Sequence, residues 1–398
     1  IWRRDDCDCQ ENPICCFYYL WNVCIFRNKG FGSMVGRIVD WNFGERLLRV
    51  VCGLPEKDLE TGIPIFWITE EETVFRDVDG SWYPLKWKYG DEELQTGDVL
   101  TIGQDGKISR NYSADSGEVD IFVTNHCNSN CVMCPLSETV RRQEQKYYLR
   151  WLWDFICILP DDVEYINITG GEPTLRKKDF LEILEYLKGK FRYSGFQLLT
   201  NGRSLADEMF LKQVLVRTPR GMRFAIPLHA SGEMVHDGIT QAKGSFRQTD
   251  RGIRNLLKQG QKVEIRVVIS RKNIAYLTET AAHIVSNYPR VFCVNLIGME
   301  MMGSAAVRRE ELWVDYPEVF KRAEAAVKIL IAHGIDVQLY NFPLCAVKKG
   351  YWPLAVKSIT DYKVRYMPAC DDCRVKEICG GFFASTKHLM KPEVKPVR

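Results

Sequence analysis

Cys127, Cys131 and Cys134 lie in the run Thr124-Asn-His-Cys-Asn-Ser-Asn-Cys-Val-Met-Cys-Pro135, a C-x3-C-x2-C spacing directly after an apolar, strand-like segment. A single cysteine is ordinarily a small buried apolar residue, but three thiols within eight residues point to a shared partner. Structural zinc wants four ligands, commonly as two C-x2-C pairs, and adjacent side chains such as His126 and Cys127 rarely fit one tetrahedron. Three thiolates can instead hold three irons of a [4Fe–4S] cluster. The fourth iron is then open to a bound molecule, unlike the four-cysteine electron-transfer sites in which every iron is capped.

Other runs end in residue types that suit the mouth of a site. Residues 164–175 read Glu-Tyr-Ile-Asn-Ile-Thr-Gly-Gly-Glu-Pro-Thr-Leu, so an alternating strand stops at Gly170, Gly171 and Glu172. The glycines leave room for close backbone approach. Residues 196–202, Phe-Gln-Leu-Leu-Thr-Asn-Gly, stop in the same way at Thr200 and Asn201. The elements that position these ends begin at residue 119. Strands are expected at 119–125, 164–169, 196–200, 222–228, 262–270 and 291–298, spaced by about 26 to 45 residues with helices between. In Ser245–Lys258, for example, Phe246, Ile253, Leu256 and Leu257 share one helical face. Strand–helix alternation predicts parallel βα units, and in βα barrels chemistry collects at the C-terminal strand ends. The cysteine loop, the Gly-Gly-Glu-Pro turn and Thr200-Asn201 all fall there.

Within the strand at 262–270, Val263, Ile265, Val267 and Ile269 share one face, and Glu264 and Arg266 share the other. A guanidinium inside a barrel is costly unless it meets an anion. Arg266 is therefore expected to meet either a bound carboxylate or an internal acid such as Glu264. His229 closes the fourth strand, on the face of Arg223 and Pro227, as either a ligand contact or a structural hydrogen-bonding group.

The two motifs in this order, about 36 residues apart from Cys134 to Gly170, resemble the radical SAM superfamily. The resemblance implies an α/β fold built on a partial (β/α)6 TIM-type barrel. It implies a [4Fe–4S] cluster, held by Cys127, Cys131 and Cys134, whose open iron binds S-adenosyl-L-methionine through its amino and carboxylate groups. One-electron reduction then yields methionine and a 5′-deoxyadenosyl radical, which makes these cysteines the catalytic residues. Cofactor contacts are expected from Gly170, Gly171, Thr200, Asn201 and Ile297. Glu172 is expected against the ammonium group, Arg266 against the carboxylate and His229 near the ribose. Met133 stands where the family often carries an aromatic residue; its polarisable side chain can cover the adenine.

A second cysteine group, Cys370, Cys373 and Cys379, is spaced C-x2-C-x5-C, with Cys345 upstream. Four thiolates suit a fully ligated iron–sulfur cluster or Zn²⁺. The spacing resembles the SPASM or twitch region of peptide-modifying radical SAM enzymes, which implies one auxiliary [4Fe–4S] cluster. A longer series joins the first cysteine loop, Leu199-Thr-Asn-Gly-Arg203, His236-Asp237, Glu264–Ile269, Tyr340–Cys345, Ser358–Asp361 and Cys379–Phe383. It resembles the His-Xaa-Ser system radical SAM maturases (HxsC type) over about residues 95–385. The segment Pro135-Leu-Ser departs from the polar, proline-rich stretch expected there. This resemblance implies a ribosomally made precursor peptide as substrate, a partner radical SAM maturase, and an external electron donor such as flavodoxin or ferredoxin.

Three regions are expected: residues 1–118, β-rich and possibly peptide-binding; 119–335, the barrel; and 336–398, the auxiliary-cluster region with a basic tail. A net charge of +3 over 398 residues gives no strong field for nucleic acid or membrane. The apolar run Ile14–Phe26 contains Asn22 and is too short to span a bilayer, and no small-residue cleavage site follows it cleanly. The chain starts at Ile1, so further residues are expected upstream. Six of the fifteen cysteines fall into spaced metal-like groups, which fits a reducing, cytoplasmic setting rather than a disulfide framework. Cys7, Cys9, Cys15 and Cys16 are read as loosely placed thiols or metal ligands, and Cys24, Cys52, Cys157 and Cys293 as core residues. Two other functions compete: a radical SAM enzyme acting on a small molecule or RNA, and a zinc-binding scaffold without catalysis.

Overall fold

A computed structural model describes residues 33–398, apart from 39–40, 42, 54–61, 70–71, 90–92, 144–147 and 359–363. Cys7, Cys9, Cys15, Cys16, Cys24 and the run Ile14–Phe26 lie outside the described residues. The chain divides into two compact units, residues 1–120 with 146–164, and residues 121–145 with 165–398.

The first unit is a sheet of β1 (Ser33–Ile38), β2 (Arg46–Cys52), β3 (Ile65–Ile68), β4 (Thr73–Arg76), β5 (Trp82–Pro84), β6 (Trp87–Tyr89), β7 (Val99–Ile102) and β8 (Lys107–Tyr112). Its order is β5-β4-β3-β2-β7-β8-β1-β6. A flat sheet of that width would hold its edges about 34 Å apart at ~4.8 Å per strand. Yet edge strands β5 and β6 are separated in sequence only by Leu85 and Lys86, a reach of about 11 Å. The sheet therefore curls on itself. Alternation explains its core: Leu48, Val50, Phe66, Phe75, Leu100 and Ile102 point to one side and are buried. The helix Tyr148–Ile158 belongs to this unit, and Arg49 donates to its last carbonyls, Ile158 O at 2.8 Å and Leu159 O at 3.1 Å. That helix buries Leu152, Phe155, Ile156 and Ile158. Cys157 falls on the opposite side and is exposed, which corrects its reading as a core residue; Cys52 is half-buried and Cys293 buried.

The second sheet runs in sequential order through β9 (Glu118–Phe122), β10 (Tyr165–Thr169), β11 (Gly195–Leu199), β12 (Arg223–Pro227), β13 (Lys262–Val268), β14 (Cys293–Ile297), β15 (Val337–Tyr340) and β16 (Ala355–Val356). Pairing from β10 to β16 is parallel throughout. All six expected strands are present, and β15 and β16 extend the sheet beyond them. The helices in chain order are α1 (Glu138–Arg142), α2 (Tyr148–Ile158), α3 (Lys177–Lys190), α4 (Glu208–Arg217), α5 (Glu233–Thr240), α6 (Ser245–Lys258), α7 (Leu277–Asn287), α8 (Ser304–Val307), α9 (Arg309–Leu312), α10 (Tyr316–Ala332) and α11 (Ala384–Met390). Each strand from β10 to β14 is followed by helix before the next strand, the pattern of an open, partial βα barrel. Short polar caps set the helix starts. Asp207 accepts from Met209 N at 2.9 Å and Phe210 N at 3.2 Å ahead of α4, a cap worth about 1 kcal/mol. Among the described residues, no helix is long and apolar enough to cross a membrane.

Candidate active site

A cavity of about 410 Å³ opens at the C-terminal ends of the parallel strands. Cys127, Cys131 and Cys134 line it, with Met133 between the last two. Gly170 and Gly171 line it after β10, and Thr200 and Asn201 after β11. His229, Arg266 and Ile297 complete the residues expected from the sequence. Six separate strand ends thus meet at one opening.

The glycine turn and the cysteine loop are packed backbone to backbone. Gly171 N donates to Thr124 O at 2.6 Å, and Glu172 N donates to His126 O at 2.8 Å. Gly170 has φ +153, and a Cβ there would fall 3.1 Å from Thr124 N; one on Gly171 would fall 2.5 Å from Asn125 O. Only glycine permits this approach at both positions. Two further supports hold the loop: Asn130 N donates to Thr240 O and Val132 N to Ile239 O, both at 2.9 Å. Arg203 donates to Asn128 O and to Ser129 Oγ, the latter at 3.0 Å.

Burial pushes the Cys127 thiol up to about 11 and Cys131 up to about 12, and raises Cys134 as well. The Cys131 thiol is raised further by its neighbours Cys134 and Cys127, so the loop has gathered the three sulfurs. Metal ligands must be thiolates, so a bound cation would displace their protons. Their neutral state without one is what the low-dielectric pocket dictates.

Glu172 does not reach the cavity wall. It is fully buried. Its Oε1 accepts from Thr174 Oγ1 at 2.6 Å and Thr200 Oγ1 at 2.7 Å, and its Oε2 from Asn201 N at 2.7 Å. Burial raises its pKa and these donors pull it back down. The carboxylate thereby ties the end of β10 to the end of β11.

Arg266 meets the internal acid among its two expected partners. Its Nε lies 3.6 Å from Glu264 Oε1, while Arg223 Nη1 holds Glu264 Oε2 at 3.1 Å. Asn295 Nδ2 also donates to Glu264, at 2.7 Å. Two guanidiniums share one carboxylate, so one positive charge is left over, on a side chain that lines the cavity. His229 is buried, and burial with the nearby His236 ring pushes it down to about 3. Its backbone is pinned at both ends: N–H donates to His236 Nδ1 at 3.2 Å and the carbonyl accepts from Asn273 Nδ2 at 3.0 Å. It is a neutral imidazole at the wall.

Sequence reasoning missed Met299, Glu300 and Asn341 in the lining. Asn341 follows β15, takes a left-handed φ of +63 and donates to Gly298 O at 3.1 Å. The signal was the strand end Tyr340-Asn341, which was not counted among the barrel strands.

The second cysteine group is also assembled. Burial pushes Cys345 up to about 11, and Cys379, Cys370 and Cys373 raise it further in turn. Cys370 and Cys379 are buried. Leu344 N and Gly381 N each point at Cys379 Sγ at 3.4 Å. Among the described residues, no three His, Cys, Asp or Glu side chains are set to hold a single metal ion; an iron–sulfur cluster spreads its thiolates over separate irons.

Residues 121–284 match the family model described as the radical SAM superfamily. The chain is 33% identical over 162 residues to mycofactocin maturase MftC of Mycolicibacterium smegmatis, covering 40% of this chain and 39% of that protein. It is 27% identical over 218 residues to the antilisterial bacteriocin subtilosin biosynthesis protein AlbA of Bacillus subtilis, covering 51% and 46%. The chain thus spans less than half the length of these curated relatives. Among solved structures, that of SuiB from Streptococcus suis bound to precursor peptide SuiA aligns with a TM-score of 0.42 at 15% identity, over 56% of this chain and 48% of that one.

Proposed function

We propose that the chain modifies a ribosomally made peptide by radical chemistry, on the premise that residues 121–284, which match the radical SAM superfamily model, work as a radical SAM domain. The observation that carries the proposal is the single cavity lined by all three loop cysteines together with the Gly-Gly turn, Asn201 and Arg266. The donor set fits a [4Fe–4S] cluster: three gathered thiols, no fourth cysteine at the wall among the described residues, and open space beyond them. When bound, the cluster and S-adenosylmethionine supply a one-electron reductive cleavage that yields methionine and a 5′-deoxyadenosyl radical.

The chain's own residues bind, orient and keep out water. Cys127, Cys131 and Cys134 would hold the cluster. The backbone of Gly170 and Gly171 would let the cofactor approach closely, and the spare charge of Arg266 would meet its carboxylate. Thr200 and Asn201 offer polar contacts at the next strand end, and Glu172 locks the two strand ends rather than presenting its carboxylate. His229, neutral at physiological pH, takes part in hydrogen bonding without adding charge. Met133 and Ile297 supply apolar wall. Cys345, Cys370, Cys373 and Cys379 would hold an auxiliary [4Fe–4S] cluster, which would supply electron transfer.

Support for a peptide substrate comes from the relatives, whose names describe a mycofactocin maturase and a subtilosin biosynthesis protein. The finer reading is a His-Xaa-Ser type maturase, working with a partner radical SAM protein and an electron donor such as flavodoxin or ferredoxin. Mass spectrometry tests it. Candidate precursor peptides, including ones with His-Xaa-Ser repeats, are incubated with reduced protein and S-adenosylmethionine. A mass change in a peptide supports the reading; turnover of the cofactor with every peptide unchanged assigns the activity to another substrate.

A further inference from the structure

We propose that Arg141 is the counter-charge of the cluster held by Cys127, Cys131 and Cys134, a positioning residue that favours that cluster's reduced state. The inference rests on the radical SAM reading above.

Arg141 sits in α1 and is only 7% exposed. One arm of its guanidinium donates to Leu136 O at 2.5 Å and the other to Asn130 Oδ1. These acceptors bracket Cys131 and Cys134 in the chain, and both are neutral. Among the described residues, no carboxylate pairs with this guanidinium. A buried charge without an opposite charge is strongly unfavourable. The groups its two acceptors flank that can take negative charge are the loop thiols: Asn130 stands one residue before Cys131 and Leu136 two after Cys134. Against the upward push of burial, the positive charge of Arg141 pulls the pKa of Cys134, Cys127 and Cys131 down.

The fold goes to some length to place it. Ser137 Oγ caps α1 by accepting from Val140 N at 3.3 Å. Fully buried Asn125 donates to Val140 O at 2.5 Å and Gln143 O at 2.8 Å, tying down the other end of the helix. The adjacent Arg142 does something else: its side chain is 78% exposed and pairs with Glu138.

Three thiolates on a dicationic [4Fe–4S] cube leave one net negative charge. One electron from an external donor makes it two. A fixed cation beside the sulfurs is attracted more strongly to the second state, so it raises the reduction potential, which responds to net charge and to hydrogen bonds at sulfur. Without iron the same buried guanidinium has no carboxylate partner among the described residues.

The test compares the anaerobically loaded parent with Arg141→Gln, which keeps a donor but no charge, and Arg141→Lys, which keeps the charge. Site and auxiliary clusters are titrated separately by potential-controlled EPR. Arg141→Gln is expected to lower the site-cluster midpoint while leaving the auxiliary midpoint unmoved, and Arg141→Lys to recover most of the shift. Equal site midpoints in parent and Arg141→Gln would overturn the proposal. If Arg141→Gln fails to retain iron, urea unfolding of the iron-free chains decides. A midpoint at or above the parent's supports the charge role, and one below it reduces Arg141 to a structural prop. A parent that takes up no iron refutes the radical SAM reading itself.

Discussion

Gly171→Ala tests whether the glycine turn holds the cysteine loop. The backbone φ at Gly171 is not in the left-handed region, so the perturbation is one of contact alone. A new Cβ would lie 2.5 Å from Asn125 O and would also overlap His126 O. Restoring ordinary contact requires the loop to retreat by about 1 Å. That retreat breaks Gly171 N to Thr124 O and Glu172 N to His126 O, now 2.6 and 2.8 Å. Two lost hydrogen bonds at ~1 kcal/mol each and an overpacking cost of ~1–3 kcal/mol give about 3–5 kcal/mol. For a domain of this size that lowers the melting temperature by roughly 6–20 °C. The assay is thermal unfolding of iron-loaded protein together with iron content, which should fall at the site cluster. Gly189→Ala in α3 is the matched control: nothing lies within 4 Å of its Cβ and its φ is not positive, so it should gain about 0.5–1 kcal/mol. Gly171→Ala melting at the parental temperature with full iron would refute the reasoning.

Replacing Cys127, Cys131 and Cys134 with Ala should abolish cleavage of S-adenosylmethionine while the auxiliary cluster stays; retained cleavage would remove these residues from the site. Cys370→Ala with Cys373→Ala should lower iron content and leave the site cluster's EPR signal, and unchanged iron would end the auxiliary assignment. Stability should fall on acidification partly through His236, which burial pushes from 6.5 down to about 4. The unfolded chain binds that proton first, so the contribution is full above pH ~6.5 and declines as pH falls toward 4, by up to about 3 kcal/mol. In urea unfolding, His236→Asn keeps an acceptor near Nδ1 and should flatten the pH slope between 6.5 and 4; an unaltered slope would contradict the burial argument.

Much of the barrel was legible because parallel βα units write themselves as apolar strands ending in special residues. The six strands fall within a few residues of their expected bounds, and the cysteine loop, Gly170, Gly171, Thr200 and Asn201 meet where strand ends must meet. What was not legible depended on side-chain direction. Glu172 turns inward because Thr174, Thr200 and Asn201 offer it four donors, and no spacing rule reveals that. Arg266 meets the internal acid Glu264, the second of its two expected partners, and the sequence cannot show that Arg223 would claim the other oxygen of that carboxylate. Nothing in the adjacent pair Arg141-Arg142 shows in sequence that one arginine is buried and the other exposed. The curl of the first sheet follows from strand order, which short alternating runs do not encode.

The central claim is that the cavity performs reductive cleavage of S-adenosylmethionine. The most direct measurement is 5′-deoxyadenosine formed by anaerobically reconstituted, reduced protein given S-adenosylmethionine. The account predicts 5′-deoxyadenosine and methionine in equal amounts, and none from Cys131→Ala. Iron-loaded parent protein that produces neither would contradict it.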